Sequence, residues 1–275
     1  DIANSGVEMS LAYNDKIGAV DFESRLVYSR NVNKVKKLVH NYHTGIDNQV
    51  INFTETSAGG GYIREGDSMG DVYITKVLKR DATGAIAVAA DGSLSSMDLP
   101  NGERLRIGNT NPDFTLGWRN NISWKGLNLS FLINARVGGI VTSETQAVLD
   151  QFGVSKATAD ARDRGYVEVA GGQRVDPQKY YEVVANQQLL GYYYYSATNV
   201  RLQNVSLTYT LPKTLLGQGW PGITVGFIAN NLWMIYNKAP FDPEIAASTG
   251  TYGQGSDYFS APSLRNIGFS LKLNF

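Results

Sequence analysis

From Ile267 to Phe275 the chain alternates without a break: Ile267, Phe269, Leu271, Leu273 and Phe275 are apolar, while Gly268, Ser270, Lys272 and Asn274 are small or polar. A period of two puts the two sets on opposite faces of an extended strand. An apolar outer face, a polar inner face and a terminal aromatic ring are features of the closing strand of an outer-membrane β-barrel. The last strand of a soluble sandwich alternates in the same way. The decision therefore rests on the other strands and on what connects them.

The cleanest hairpin runs from Phe114 to Val137. Phe114, Leu116, Trp118, Ile122 and Trp124 share one face, interrupted only by Asn120, and Thr115, Gly117, Arg119, Asn121 and Ser123 share the other. Lys125-Gly126 is a two-residue reversal, after which Leu127, Leu129, Phe131, Ile133, Ala135 and Val137 face out. Asn128, Ser130, Asn134 and Arg136 face in. Four further strands follow, at Val7–Tyr13, Asp21–Val32, Arg201–Leu211 and around Ile223–Ala229. In the second of these, charge sets the register. Turning a basic residue toward mid-bilayer lipid costs about 2–4 kcal/mol, so Asp21, Glu23 and Arg25 face inward and Phe22, Leu26 and Tyr28 outward.

The connections fall at 15–19, 35–112, 125–126, 138–191, 212–222 and 237–259, alternately short and long. Tight periplasmic turns and long extracellular loops give an outer-membrane barrel this asymmetry. Counted back from a periplasmic C-terminus, every long loop lies outside. Trp124, Tyr209 and Phe275 fall at the inner rim, and Tyr28, Trp233 and Tyr236 toward the outer one. Seven strands do not close a transmembrane barrel, for which about eight is the floor. The reading therefore expects a transmembrane antiparallel β-barrel segment, residues 1–275, with the remaining strands upstream of Asp1 or on another chain. The start at Asp1, with neither methionine nor signal peptide, reads as a fragment or processed product. A soluble or surface-attached β-sandwich that binds glycans is the alternative.

Composition narrows the function. The formal net charge is zero, which gives no reason to expect nucleic acid as partner. No cysteine is present, so disulfide scaffolds and thiolate metal sites are excluded. The longest wholly apolar run, Ala85–Ala90, is far shorter than the roughly 20 residues of a spanning helix. Any crossing must be made by strands in a closed barrel.

Several phrases resemble the C-terminal third of SusC/RagA-like TonB-dependent transporters. They are Arg64-Glu65-Gly66-Asp67-Ser68-Met69-Gly70, Gly108-Asn109-Thr110-Asn111-Pro112-Asp113-Phe114-Thr115-Leu116-Gly117, the segment Arg201-Leu202 through Leu211-Pro212, Asn231-Leu232-Trp233 with Asp242-Pro243-Glu244, and Pro262-Ser263-Leu264-Arg265. They keep the family's order from about Tyr13 to Phe275. The resemblance implies a barrel of about 22 strands filled by a plug, located in the outer membrane. It also implies a SusD-like lipoprotein over the extracellular mouth, oligosaccharide or peptide substrates, and energy from the TonB–ExbBD complex through an N-terminal part that this chain does not carry. No cofactor and no enzymatic activity are implied.

Catalytic and metal-binding constellations are weak. His40 and His43, with Asp47 four residues on, read as solvated loop residues rather than as a metal site. Gly59-Gly60-Gly61 lacks the Lys-Ser/Thr of a phosphate loop. Asp67 and Asp71 invite calcium without specifying it. Asp81-Ala82-Thr83-Gly84 and Asp91-Gly92 read as turns flanking Ala85–Ala90, and Asp242-Pro243-Glu244 as a turn that anchors its loop. The candidates for substrate or plug contact are the inward-facing Arg119 and Arg136, which lie near one another on paired strands. Tyr192, Tyr193, Tyr194 and Tyr195 join them, since in an extended run two of these rings would line the mouth of the lumen and two the outer belt.

Overall fold

The computed structural model describes residues 1–43, 50–58, 61–216, 221–244 and 255–275. Seven long strands form one antiparallel sheet in chain order: β1 (Ile2–Ile17), β2 (Val20–Val35), β3 (Phe114–Trp124), β4 (Leu127–Val137), β5 (Asn199–Thr210), β6 (Gly222–Asn237) and β7 (Asn266–Asn274). Gly18-Ala19, Lys125-Gly126 and residues 211–221 connect them at one end, and the long segments 36–113, 138–198 and 238–265 at the other. Lys125 and Gly126 both take positive φ (44° and 86°), the primed turn that matches the twist of a two-residue hairpin. A Cβ on Gly126 would lie 2.7 Å from the carbonyl oxygen of Thr210 on β5, so only glycine lets the two backbones approach there.

Register converts alternation into two continuous surfaces. On the outer face Leu11, Leu26, Trp118, Ile133, Leu202 and Trp233 are successive cross-strand partners from β1 to β6. On the inner face the corresponding line is Ala12, Arg25, Arg119, Leu132, Asn204 and Asn230, followed by Asn266 on β7. Side chains bond across the inner face, as in Asn121 Nδ2 to Glu23 Oε2 (3.0 Å) and Asn204 Nδ2 to Asn230 Oδ1 (2.6 Å). The outer apolar groups have no protein over them: Leu11 is 71% exposed and Phe269 88%. An uncovered apolar face crossing seven strands is far larger than soluble monomers tolerate. Among the described residues no helix is long and apolar enough to cross a membrane. The fold is that of a transmembrane β-barrel segment.

Three departures from the sequence reading have physical causes. Both β1 and β2 run 16 residues, longer than Val7–Tyr13 and Asp21–Val32, because backbone pairing continues past the apolar band. Asn120 does face outward, yet it is 2% exposed, and its neighbour in register is another outward polar residue, Ser24. Ser24 is satisfied by Trp118 Nε1 at 2.9 Å. The third departure is the long loops, which fold into a layer with helices α1 (Glu144–Gln151), α2 (Lys156–Arg164) and α3 (Pro177–Val184).

Those helices begin where side chains can cap them. Ser143, Ser155 and Asp176 accept hydrogen bonds from the backbone N–H groups of Gln146, Thr158 and Lys179. The largest cluster of buried apolar side chains lies in this layer. Leu78, Ile86 and Leu94 from the first long loop pack with Ala147, Val184, Leu189 and Tyr193 from the second. The expected turns around Ala85–Ala90 are present. Asp81 Oδ1 accepts from the Thr83 and Ala85 N–H groups, and Asp91 Oδ1 from that of Ser93.

Candidate functional site

Buried polar groups, Asp71 and Arg201 among them, lie in a collar where the loops meet the wall. Arg201 is its most buried cation, 4% exposed. Strict alternation from Val205, Leu207 and Tyr209 would turn Arg201 outward. A β-bulge at Gln203 shifts the register between Leu132 and Ile133, so Leu202 and Val200 continue the outer face and Arg201 turns in. Its Nη2 then donates to Asp242 Oδ1 at 2.6 Å, with Glu244 Oε2 at 3.5 Å, and Nη1 reaches Ser263 Oγ at 3.3 Å. Asp242 Oδ1 also accepts from the Glu244 N–H at 3.1 Å, closing the expected anchoring turn. Burial raises the Asp242 carboxyl, but hydrogen bonds from Ser263, Arg201 and the Glu244 N–H outweigh it and hold the group below the usual carboxylate range. A cavity of about 320 Å³ opens beside this cluster, lined by Arg201, Trp233, Met234, Asn237, Phe241 and Arg265 among others.

A second part of the collar joins the first long loop to β3 and β4. Asp71, 8% exposed, accepts from Arg106 Nη2 (2.7 Å), Asn109 Nδ2 (2.6 Å) and the Ser68 N–H (3.0 Å). The Thr110 N–H donates to the Gly70 carbonyl at 2.8 Å, and Arg136 Nη2 to the Thr110 carbonyl at 2.6 Å. Gly138, at φ +79°, passes so close to Asp113 that a Cβ would meet its Oδ2 at 2.2 Å. Next to this, Asp67 accepts from Arg64 Nε (2.8 Å) and from the Tyr73 hydroxyl. The Tyr73 bond is the main cause of an Asp67 pKa below the usual range. Burial works against it, and Arg64 adds to the lowering. Tyr73 itself is pushed upward by burial and by the Asp67 charge.

The groups named in advance fall in different places. Arg119 is exposed on the inner face and lies directly opposite Arg25 of β2; neither has an ion-pair partner among the described residues. Arg136 shares that face but pairs in register with Thr115, about 14 Å along the strand from Arg119 at about 3.4 Å per residue. The two arginines are therefore not neighbours. The four tyrosines do not form one extended run. Tyr192 and Tyr193 close a 3-10 helix, and Tyr194 and Tyr195 belong to a short strand paired with Ile140–Ser143. Tyr193 is buried in the loop core and Tyr195 packs against it, while the Tyr192 hydroxyl accepts from the Leu78 N–H at 3.3 Å. All four therefore sit in the loop layer rather than on the barrel wall. His40 Nε2 lies 2.6 Å from Glu65 Oε1; His43 is exposed, and Asp47, Gly59 and Gly60 lie outside the described residues.

The sequence reading names neither Arg201 nor Arg106 as a site residue, and considers Asp71 only for calcium. For Arg201 a signal existed: an arginine at an outward parity in an otherwise clean strand implies a bulge. For Asp71 and Arg106, 35 residues apart, the sequence offers no such signal.

No family model matches the chain. Over its whole length it is 26% identical to the TonB-dependent receptor P3 of Formosa agariphila, covering 29% of that protein. Over 63% of the chain it is 27% identical to the TonB-dependent receptor P39 of the same organism, covering 17% of it. Among solved structures, the RagAB peptide importer in its closed-closed state matches the whole chain with a TM-score of 0.66 at 18% identity, over 30% of the matched chain. A structure of the RagAB peptide transporter matches with 0.68 at 17%, over 29%. The open-open importer matches with 0.65 at 20%, again over 29%. The chain is thus similar from end to end to the C-terminal barrel portion of SusC/RagA-like TonB-dependent transporters, and covers between 17% and 30% of the proteins it matches.

Proposed function

We propose that residues 1–275 form part of the wall and the extracellular loop layer of an outer-membrane nutrient importer. In this reading it is driven through the TonB–ExbBD complex, capped by a SusD-like lipoprotein, and takes up oligosaccharides or peptides. The observation that carries the reading is the division of faces in the sheet: an uncovered apolar surface on one side, an Asn, Ser and Arg surface on the other, and every long loop at one end. The likeness to TonB-dependent receptors and to the RagAB importer supports it. The inner face would meet the plug or the passing substrate. Arg119, Arg25 and Lys272 are cations without an ion-pair partner there among the described residues, and Arg136 stands closer to the mouth. The tyrosines at 192–195 would support the loops that grip substrate and lid. The chain has no catalytic role in this proposal.

The test uses single cysteines, since residues 1–275 contain none, in a background where any cysteine outside them is replaced by serine. Single cysteines at Leu129 and Ser130, adjacent residues on opposite faces of β4, are placed in the full-length protein and labelled with an environment-sensitive dye. In bilayers, brominated lipid should quench the dye at 129 and not at 130; equal quenching by an aqueous reagent at both would overturn the assignment of the faces. Uptake is tested in the host by deleting the gene and measuring growth on peptide and on oligosaccharide mixtures. No growth defect on either would refute the importer reading.

A further inference from the structure

Away from the collar, α1, α2 and α3 enclose a cavity of about 340 Å³ within the size range of small-ligand sites. Asp150, Phe152, Thr158, Arg162, Tyr181 and Glu182 contribute to its lining. Asp150 is 4% exposed. Its Oδ1 accepts from Gln146 Nε2 at 2.7 Å, one turn earlier on α1, and no cation pairs with the carboxylate among the described residues. Behind it the Tyr193 hydroxyl is buried against the same carboxylate. Its ionisation is pushed upward by burial and then by the Asp150 charge. A carboxylate withdrawn from water with only neutral donors beside it is an arrangement that a cation stabilises.

The cavity's own cation does not provide that relief. Arg162 is exposed, and its Nη1 donates to the Gly153 carbonyl at 2.6 Å. Glu182 adds a second acid at the cavity wall, its Oε1 held by Gln178 Nε2 at 2.7 Å. Tyr181, packed edge-on against Tyr180 at 5.1 Å, and the exposed Phe152 supply aromatic surface for an aliphatic stem or a cation–π contact. We propose that this cavity binds an organic cation, with an alkylammonium or guanidinium head against Asp150 and its carbon stem along Tyr181. The site stands independently of the importer reading, because its evidence lies wholly within the loop layer.

A basic peptide side chain and an amino sugar share this chemistry, and paired probes separate them. Nα-acetyl-lysine methylamide is compared with its Nε-acetylated form, and glucosamine with N-acetylglucosamine, by calorimetry on the full-length protein in detergent. Binding of the free amine and not its acetylated partner, in either pair, supports the site and names the source; no discrimination in both pairs overturns it. Asp150→Asn retains an acceptor for Gln146 and should weaken amine binding about tenfold or more, the scale of one charge-assisted hydrogen bond. Unchanged affinity overturns the proposal. Should that variant fail to fold, Arg162→Gln decides. Removing the competing surface charge should tighten amine binding about twofold to fivefold, and unchanged or weaker binding overturns the assignment.

Discussion

Replacing Asp242 by alanine isolates the contact that ties the last long loop to the wall. Arg201 and Asp242 side chains are 5% and 10% exposed, and the loss of one partner leaves a guanidinium buried without its main counter-charge. Breaking such a pair costs about 3–5 kcal/mol. Glu244 remains at 3.5 Å but is 39% exposed, so it offsets part of the loss and places the expectation near about 3 kcal/mol. The loop also loses the acceptors for the Glu244 and Ser263 N–H groups. Hydrogen exchange on the full-length protein reads local opening directly. For peptides covering 237–244 and 256–265, about 3 kcal/mol corresponds to roughly a hundredfold faster exchange. Peptides from Leu127–Val137 should keep their protection. The double replacement Arg201→Met with Asp242→Leu should recover most of the loss, since an apolar pair of similar volume avoids the desolvation penalty. Exchange in 237–244 that rises less than about threefold in Asp242→Ala would refute the argument that this ion pair holds the loop.

Three further outcomes are expected. Leu129→Arg should lower the folded fraction in bilayers by about 2–4 kcal/mol in a urea titration, whereas Ser130→Arg next to it should cost little; equal effects would contradict the assigned faces. Gly138→Ala combines a positive φ with a Cβ placed against Asp113, and should destabilise by about 2 kcal/mol or more in the same titration. Wild-type midpoint would show that the Gly138 turn relaxes freely. Asp67 and Asp242 are both held below their ordinary value of 3.8. Their contribution is therefore present above that value and is lost as pH falls through the lower folded values. Loop-layer exchange, corrected for intrinsic rate, should stay constant from about pH 8 to about pH 5 and rise only below about pH 4. A rise near pH 6 would refute the assignment to these two carboxylates.

The hairpin from Phe114 to Val137 was legible to its ends because neither strand is interrupted and its turn is Lys125-Gly126. The short-and-long rhythm of connections was legible for the same reason. The ends of β1 and β2 were not, since above the apolar band side chains no longer report which face they occupy. The helices α1 to α3 are not legible in the sequence because each is about two turns long, and their caps, Ser143, Ser155 and Asp176, sit in stretches that read as polar loop.

What the sequence determined by itself is the choice of faces. Side-chain direction in a strand follows from covalent geometry, so alternation fixes which groups meet lipid and which meet the lumen wherever the strand is regular. What only the tertiary structure decided is which distant polar groups meet. The bulge at Gln203 turns Arg201 inward, and folding of the last loop brings Asp242 and Ser263 to it from 41 and 62 residues away. Partners so far apart are joined by the path of the chain, and no local period records that path.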